Sequence, residues 1–199
     1  ARMIVQLFMV LGGFGLAWSS SRKQVNWTWT WAFQTVLNRY LRLFFPYAIM
    51  LCVLIGVARM LGELRPGNPM VESISWGQLL AHSAFLQNLM GFENLSAGIW
   101  YLCIDLQFAI LFCLLGALIA TFCKRFQGNP SPINLLATVF CVPGTYSAMY
   151  WNRIPDWDYS IVYFLSTFVL GALVGWERSG HISARTVLMY GCLLLLSLC

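Results

Sequence analysis

Asp105 is the only charged residue between Asn94 and Cys123, set inside the apolar stretch "IWYLCIDLQFA" at Ile99–Ala109. An aspartate near the middle of a membrane-crossing helix costs roughly 2.5–3.5 kcal/mol on insertion scales, so such a residue marks a polar site. A carboxylate at that depth can take a proton, accept hydrogen bonds or orient a cation. The second candidate group is Arg39 and Arg42, three positions apart and therefore on one face of a helix. Two guanidinium groups bind a polyanion such as a nucleotide phosphate, although the spacing fits simple anchoring at a cytoplasmic interface equally well. Asp105 with Trp100 and His82, near the outer mouth of one helix, outlines a polar pocket. Gln107 follows Asp105 by two positions and points to a different side. His181 lies in a polar turn and has less claim.

The elements that hold these groups are membrane helices. Of 199 residues, 59% are hydrophobic and 10% charged, too few charges for an ordinary soluble domain. The net charge of +5 belongs to the ends of apolar runs and not to a basic face with interleaved aromatics, which excludes nucleic acid as a partner. Six runs read as spans near residues 3–21, 43–61, 99–122, 133–151, 159–176 and 186–199. The fold class is all-α: a polytopic membrane helical bundle with about six crossings, surrounded by membrane lipid. The last run has 14 residues and the chain opens with Ala-Arg, so we read it as a piece of a longer protein.

Charge along the loops sets an orientation. Arg22, Lys23, Arg39 and Arg42 follow the first run, Lys124 and Arg125 the third, and Glu177, Arg178 and Arg185 the fifth. Arg2, Arg59, Arg65 and Arg153 fall on the other side with Glu63, Glu72, Glu93, Asp156 and Asp158. The positive-inside rule places the first set in the cytoplasm. The long outer loop, Gly62–Gly98, opens with the turn-rich "RPGNP" at Arg65–Pro69. Beyond it, Leu79, Leu80, Ser83, Phe85, Leu86 and Leu89 are expected on one face of an interfacial helix, with Trp76 at headgroup depth. "VNWTWTWAF" at Val25–Phe33 reads as an aromatic belt.

Seven cysteines lack any C-x-x-C spacing and lie mostly within apolar runs, which argues for small buried residues and against a metal site or disulfide framework. No glycine-rich phosphate loop is present. "GGFG" at Gly12–Gly15 lies in a span, where small residues let helices approach closely. Pro143-Gly144 is expected to interrupt the fourth span. A transporter would need a matching break in an earlier half, and none is clear.

Several motifs, in order, resemble the acyltransferase family 3 membrane proteins. "LFMVLGGFGLAW" (Leu7–Trp18) is similar to the family's second helix, F-F-x-x-S-G-F. "NRYLRLFFPYAI" (Asn38–Ile49) is similar to R-x-x-R-x-x-P-x-Y, with Arg39, Arg42, Pro46 and Tyr47 in place if one residue is inserted before the proline. "LLAHSAFLQNL" (Leu79–Leu89) resembles the segment preceding the signature, and "WYLCIDLQFA" (Trp100–Ala109) the signature W-S-L-x-x-E-x-Q-F-Y. "YFLSTFVLGALVG" (Tyr163–Gly175) resembles a later F-F-x-x-G-x-x-x-G helix. Here the signature Glu is Asp105, its terminal Tyr is Ala109, and the Ser of the second-helix motif is Gly12 or Gly13.

The resemblance implies a partial acyltransferase domain over 1–199 that moves an acyl group, acetyl by preference, from cytoplasmic acyl-CoA to a hydroxyl of an extracytoplasmic carbohydrate or glycan. It implies acyl-CoA as co-substrate with no permanently bound cofactor, and a multi-pass protein of the bacterial inner membrane. Arg39 and Arg42 would bind donor phosphates. Asp105 would be the catalytic carboxylate, and Trp100, His82 and Gln107 would belong to the acceptor pocket. The family's first helix, with its arginine and histidine base, has no counterpart in this chain, and that arginine is the partner the resemblance offers Asp105. A catalytically inactive fragment or an assembly subunit is the alternative.

Overall fold

The computed structural model describes residues 2–22, 27–64, 75–87, 90–92, 100–125, 131–154, 157 and 160–197. The turn-rich Arg65–Pro69, and Lys23, Leu89, Glu72, Glu93, Asp156 and Asp158 lie outside them. The described elements are α1 (Arg2–Arg22), α2 (Trp29–Leu64), α3 (Trp76–Ser83), α4 (Trp100–Arg125), α5 (Pro132–Met149), a 3-10 turn (Trp151–Arg153), α6 (Ile161–Arg178) and α7 (Ala184–Ser197). There is no strand among the described residues. Four segments are long and apolar enough to cross a membrane: Met3–Ser21, Trp29–Val57, Trp100–Arg125 and Ile161–Arg178. The all-helical membrane class therefore holds.

The chain divides into two compact units, one of residues 1–36 with 107–199 and one of residues 37–106. In the first, α6 is the central helix, with Phe164, Phe168, Val169, Ala172, Leu173 and Trp176 all buried. The two small-residue motifs meet here. A side chain on Gly13 would run into the backbone carbonyl of Phe168, and one on Gly171 into that of Val10. At Gly175 the neighbours would be the Phe14 carbonyl at 2.8 Å and Ala17 Cβ at 2.9 Å. The contacts advance together along both helices, so α1 and α6 run parallel with their backbones almost touching. Lipid supplies no hydrophobic drive between helices, and close backbone packing of this kind replaces it. An aromatic stack continues the core: Phe108 on Phe168 at 4.3 Å, and Phe112 between Phe140 and Trp176.

Three expectations change. Trp27 is buried, with its ring against Gly116 and Phe112, so it belongs to the core and not to an interfacial belt. The helix expected to start near residue 43 starts at Trp29, capped by Thr28, whose Oγ1 accepts from Trp31 N at 3.2 Å. Arg39 and Arg42, expected on one face of a helix entering the membrane, consequently lie well within α2 and not ahead of a span that begins at residue 43. Pro143 does not interrupt α5, which continues through it to Met149. Among the described residues, six cysteines are free thiols.

The α1–α6 contact predicts a sharp asymmetry between glycines. Gly171→Val should lower stability by about 1–3 kcal/mol or more, as overpacking does. Gly15→Val, with open space around it, should leave stability nearly unchanged. Thermal unfolding of the detergent-solubilised protein measures both, and equal losses would refute the packing.

Candidate functional site

The site is built in the second unit from α2, α3 and the start of α4. Along α2, Tyr40, Phe44 and Tyr47 repeat at helical spacing and share one face. Tyr40 stacks on Phe44 at 5.5 Å, and both tyrosines pack against Phe85. Arg39 is the residue beside that stripe. Its Nε donates to Asp105 Oδ2 at 2.8 Å and its Nη2 to Oδ1 at 2.5 Å, forming a two-pronged ion pair with the carboxylate of α4. The two side chains are only 22% and 14% exposed. Such a fork fixes both charges in orientation as well as distance. Within this chain, Asp105's partner is thus Arg39.

Arg42 is exposed and makes no ion pair or side-chain hydrogen bond among the described residues. The two arginines share a helix but have different surroundings. Asp105 occupies two of the five N–H donors of Arg39 and leaves the others for a second anion. Ten residues of helix separate Trp29 from Arg39, about 15 Å along the axis, which places the pair well inside α2.

α3 is shorter than the sequence suggests. Ser75 caps it, accepting from Gln78 N at 3.1 Å, and it ends after Ser83. The chain reverses there: Leu86 N bonds Ala81 O at 2.8 Å, Phe85 N bonds His82 O, and Phe85 has φ 56°. This is a Schellman ending with phenylalanine where glycine is usual. The left-handed backbone costs about 1–2 kcal/mol in any residue with a Cβ, and the buried Phe85 ring, wedged against Tyr40 and Tyr47, offsets it. The expected apolar face over Leu79–Leu89 therefore does not form. Leu80 and Leu86 are exposed, whereas Ala81, His82, Phe85 and Gln87 are buried.

His82 is fully buried, and its Nδ1 shares a 2.8 Å hydrogen bond with the Tyr47 hydroxyl. Tyr40 donates to the Ser83 carbonyl at 2.8 Å, filling one of the orphan acceptors at the end of α3. Gln87 reaches Cys103 Sγ from Nε2 at 2.9 Å. Trp100 is the half-buried first residue of α4. Gln107 is half-buried and falls in the first unit. Sequence reasoning singled out Arg39, Asp105 and His82 and placed Tyr47 in the R-x-x-R stretch, but missed Tyr40 and Gln87. The only signal for Tyr40 was its helical repeat with Phe44 and Tyr47 beside Arg39.

Residues 1–199 match the acyltransferase domain of acyltransferase family 3, and the chain belongs to that family. No curated protein and no solved structure matches it. The chain is accordingly a transferase of acyl groups other than aminoacyl groups, within an integral membrane protein.

If the Arg39–Asp105 fork operates as a unit, its two halves are not independent. Arg39→Ala and Asp105→Ala should each destabilise, and the double variant should lose less than their sum, with a coupling of about 0.5–3 kcal/mol. Unfolding of the four proteins in detergent gives the coupling, and strict additivity would show that the pair contributes nothing.

Proposed function

We propose that this chain moves an acyl group, acetyl by preference, from cytoplasmic acyl-CoA to a hydroxyl of an extracytoplasmic carbohydrate. The reading is supported above all by the Arg39–Asp105 fork, which joins the R-x-x-R stretch to the signature carboxylate. Asp105 holds the Arg39 guanidinium in place, and the remaining N–H donors of Arg39, with exposed Arg42, take the phosphates of the donor. Held this way, the cationic fork loses little freedom when the anion arrives. Asp105 thus acts through Arg39 as well as on the acceptor side, where Trp100 and His82 are our candidates for contact with the hydroxyl-bearing substrate.

In this reading the protein is a multi-pass component of a bacterial inner membrane. Arg22, Lys23, Lys124, Arg125, Arg178 and Arg185 face the cytoplasm, and the loop 62–98 faces outward. The general base that deprotonates the acceptor is the histidine of the family's first helix. Cysteine labelling in a cysteine-free background tests the orientation: positions 68 and 124 should label from opposite faces, and labelling of both from outside would reject it.

The chemistry is tested in the full-length protein with expression checked by blot. Arg42→Ala should raise the acyl-CoA KM by about 10- to 100-fold, as loss of a charge-assisted contact does. Lysine at that position should recover only part of the loss, because it lacks the planar fork. Asp105→Asn should reduce transfer by about 10²–10⁴-fold, whereas Asp105→Glu, the family's usual residue, should retain much of it. Full activity in a well-expressed Asn variant would remove Asp105 from the mechanism.

A further inference from the structure

Between His82 and Gln87 the chain accumulates three features that stability alone does not favour. Phe85 occupies the left-handed region, at a position where glycine would sit without strain. An imidazole and a primary amide are both fully buried within six residues of each other. One end of the Gln87 amide bonds Cys103, and the other, Oε1, has no partner among the described residues. A buried amide atom without a partner costs about 1–3 kcal/mol, which an apolar residue of the same shape would avoid. Strain and unsatisfied polarity together mark segments retained for binding rather than for packing.

The neighbours of this amide carry chemistry. Cys103, its partner, lies two residues before Asp105 on α4. Tyr47 is within electrostatic reach of Cys103 and hydrogen-bonds His82. Four polar side chains, Tyr47, His82, Gln87 and Cys103, thus form one buried cluster in the unit that holds the ion pair. The amide also selects its ligand. Its Nε2 donates to Cys103, so the free end is the carbonyl oxygen Oε1, which accepts a hydrogen bond from a donor. An alcohol hydroxyl supplies such a donor, as an ammonium would; a phosphate, which only accepts, does not, and among donors the hydroxyl is the one that the acyl transfer proposed above calls for.

We propose that Gln87 is the hydroxyl-binding residue of the acceptor site, its free amide end hydrogen-bonding the alcohol that receives the acyl group. The assignment rests on the acyl transfer proposed above and adds to it a residue that touches the acceptor and not the donor. His82 lies on the same buried side of the turn, with Nδ1 held by Tyr47, and Phe85 sets the reversal that presents both side chains inward.

The test uses the full-length protein in nanodiscs, with acetyl-CoA as donor and methyl glucoside as the hydroxyl probe. Gln87→Met keeps the length of the side chain and removes its hydrogen bonds. It should raise the KM for methyl glucoside about tenfold, leave the KM for acetyl-CoA unchanged, and leave the melting temperature equal or higher. Gln87→Leu carries the same expectation and guards against a fold defect peculiar to methionine. An unchanged acceptor KM alongside a higher melting temperature would overturn the proposal and reduce Gln87 to a tolerated buried amide, with the transferase reading intact. A parallel rise in the acetyl-CoA KM would also overturn it, by moving Gln87 to the donor side. A wild-type protein that transfers no acetyl group to the probe would instead reject the donor and acceptor assignment, and this proposal with it.

Discussion

A carboxylate cannot stand alone in an apolar helix, and the arrangement of the second unit follows from that constraint. The charge of Asp105 must be met by a cation at the same depth, and a guanidinium suits best because it is always protonated and matches both carboxylate oxygens at once. Arg39 supplies it from α2. Once the two are joined, α2 and the start of α4 are fixed in rotation, and the Tyr40–Phe44–Tyr47 stripe is turned toward α3. The bonds from Tyr40 to Ser83 and between Tyr47 and His82 are then geometrically available. These two bonds join α2 to α3 through groups that the ion pair has helped to place.

The same logic explains what was legible in the sequence. Asp105 stood out because a single acid in an uncharged run is expensive, and its need for a cation was readable. The identity of that cation was not. Arg39 is followed by the uncharged run that begins at Leu43, so hydropathy reads the arginines as loop and starts the span after them. A paired arginine no longer needs water, and the helix extends back to the Thr28 cap. Trp27 was misplaced for a related reason. Tryptophan is enriched at membrane interfaces, but the bare backbone of Gly116 creates a hole that only a tertiary contact reveals. The glycine motifs were legible as close-packing elements, though nothing local said that Gly13 and Gly171 would meet across the same interface. The turn at Phe85 had no readable signal at all, because its stop residue is phenylalanine.

The two units are held by different physics. The first relies on backbone contact and stacked rings, which are numerous and individually weak, and which a single added methyl group can disturb. The second relies on a few directional polar bonds between side chains. Close packing of the first kind tolerates little rearrangement, because it is lost as a whole when helices separate. Hydrogen-bonded pairs can exchange partners one at a time. A site that must release a product after each turnover is better built from the second kind, and the R-x-x-R stretch and the signature carboxylate fall in that unit.

The ion pair also bears on orientation. Positive-inside bias acts through charges exposed to the aqueous side of the membrane during insertion. Arg39, neutralised by Asp105 inside a helix, cannot be counted as a loop charge, and Arg42 lies in the same helix. The cytoplasmic assignment of the first connection then rests on Arg22 and Lys23, while the later ones keep Lys124, Arg125, Arg178 and Arg185. The bias survives with fewer residues, and the two arginines that leave the count are the ones we propose for donor binding. A basic residue that anchors a helix end needs only water and headgroups around it. Arg39 instead has a carboxylate that fixes the plane of its guanidinium, an arrangement that anchoring does not require and that recognition of a second anion does.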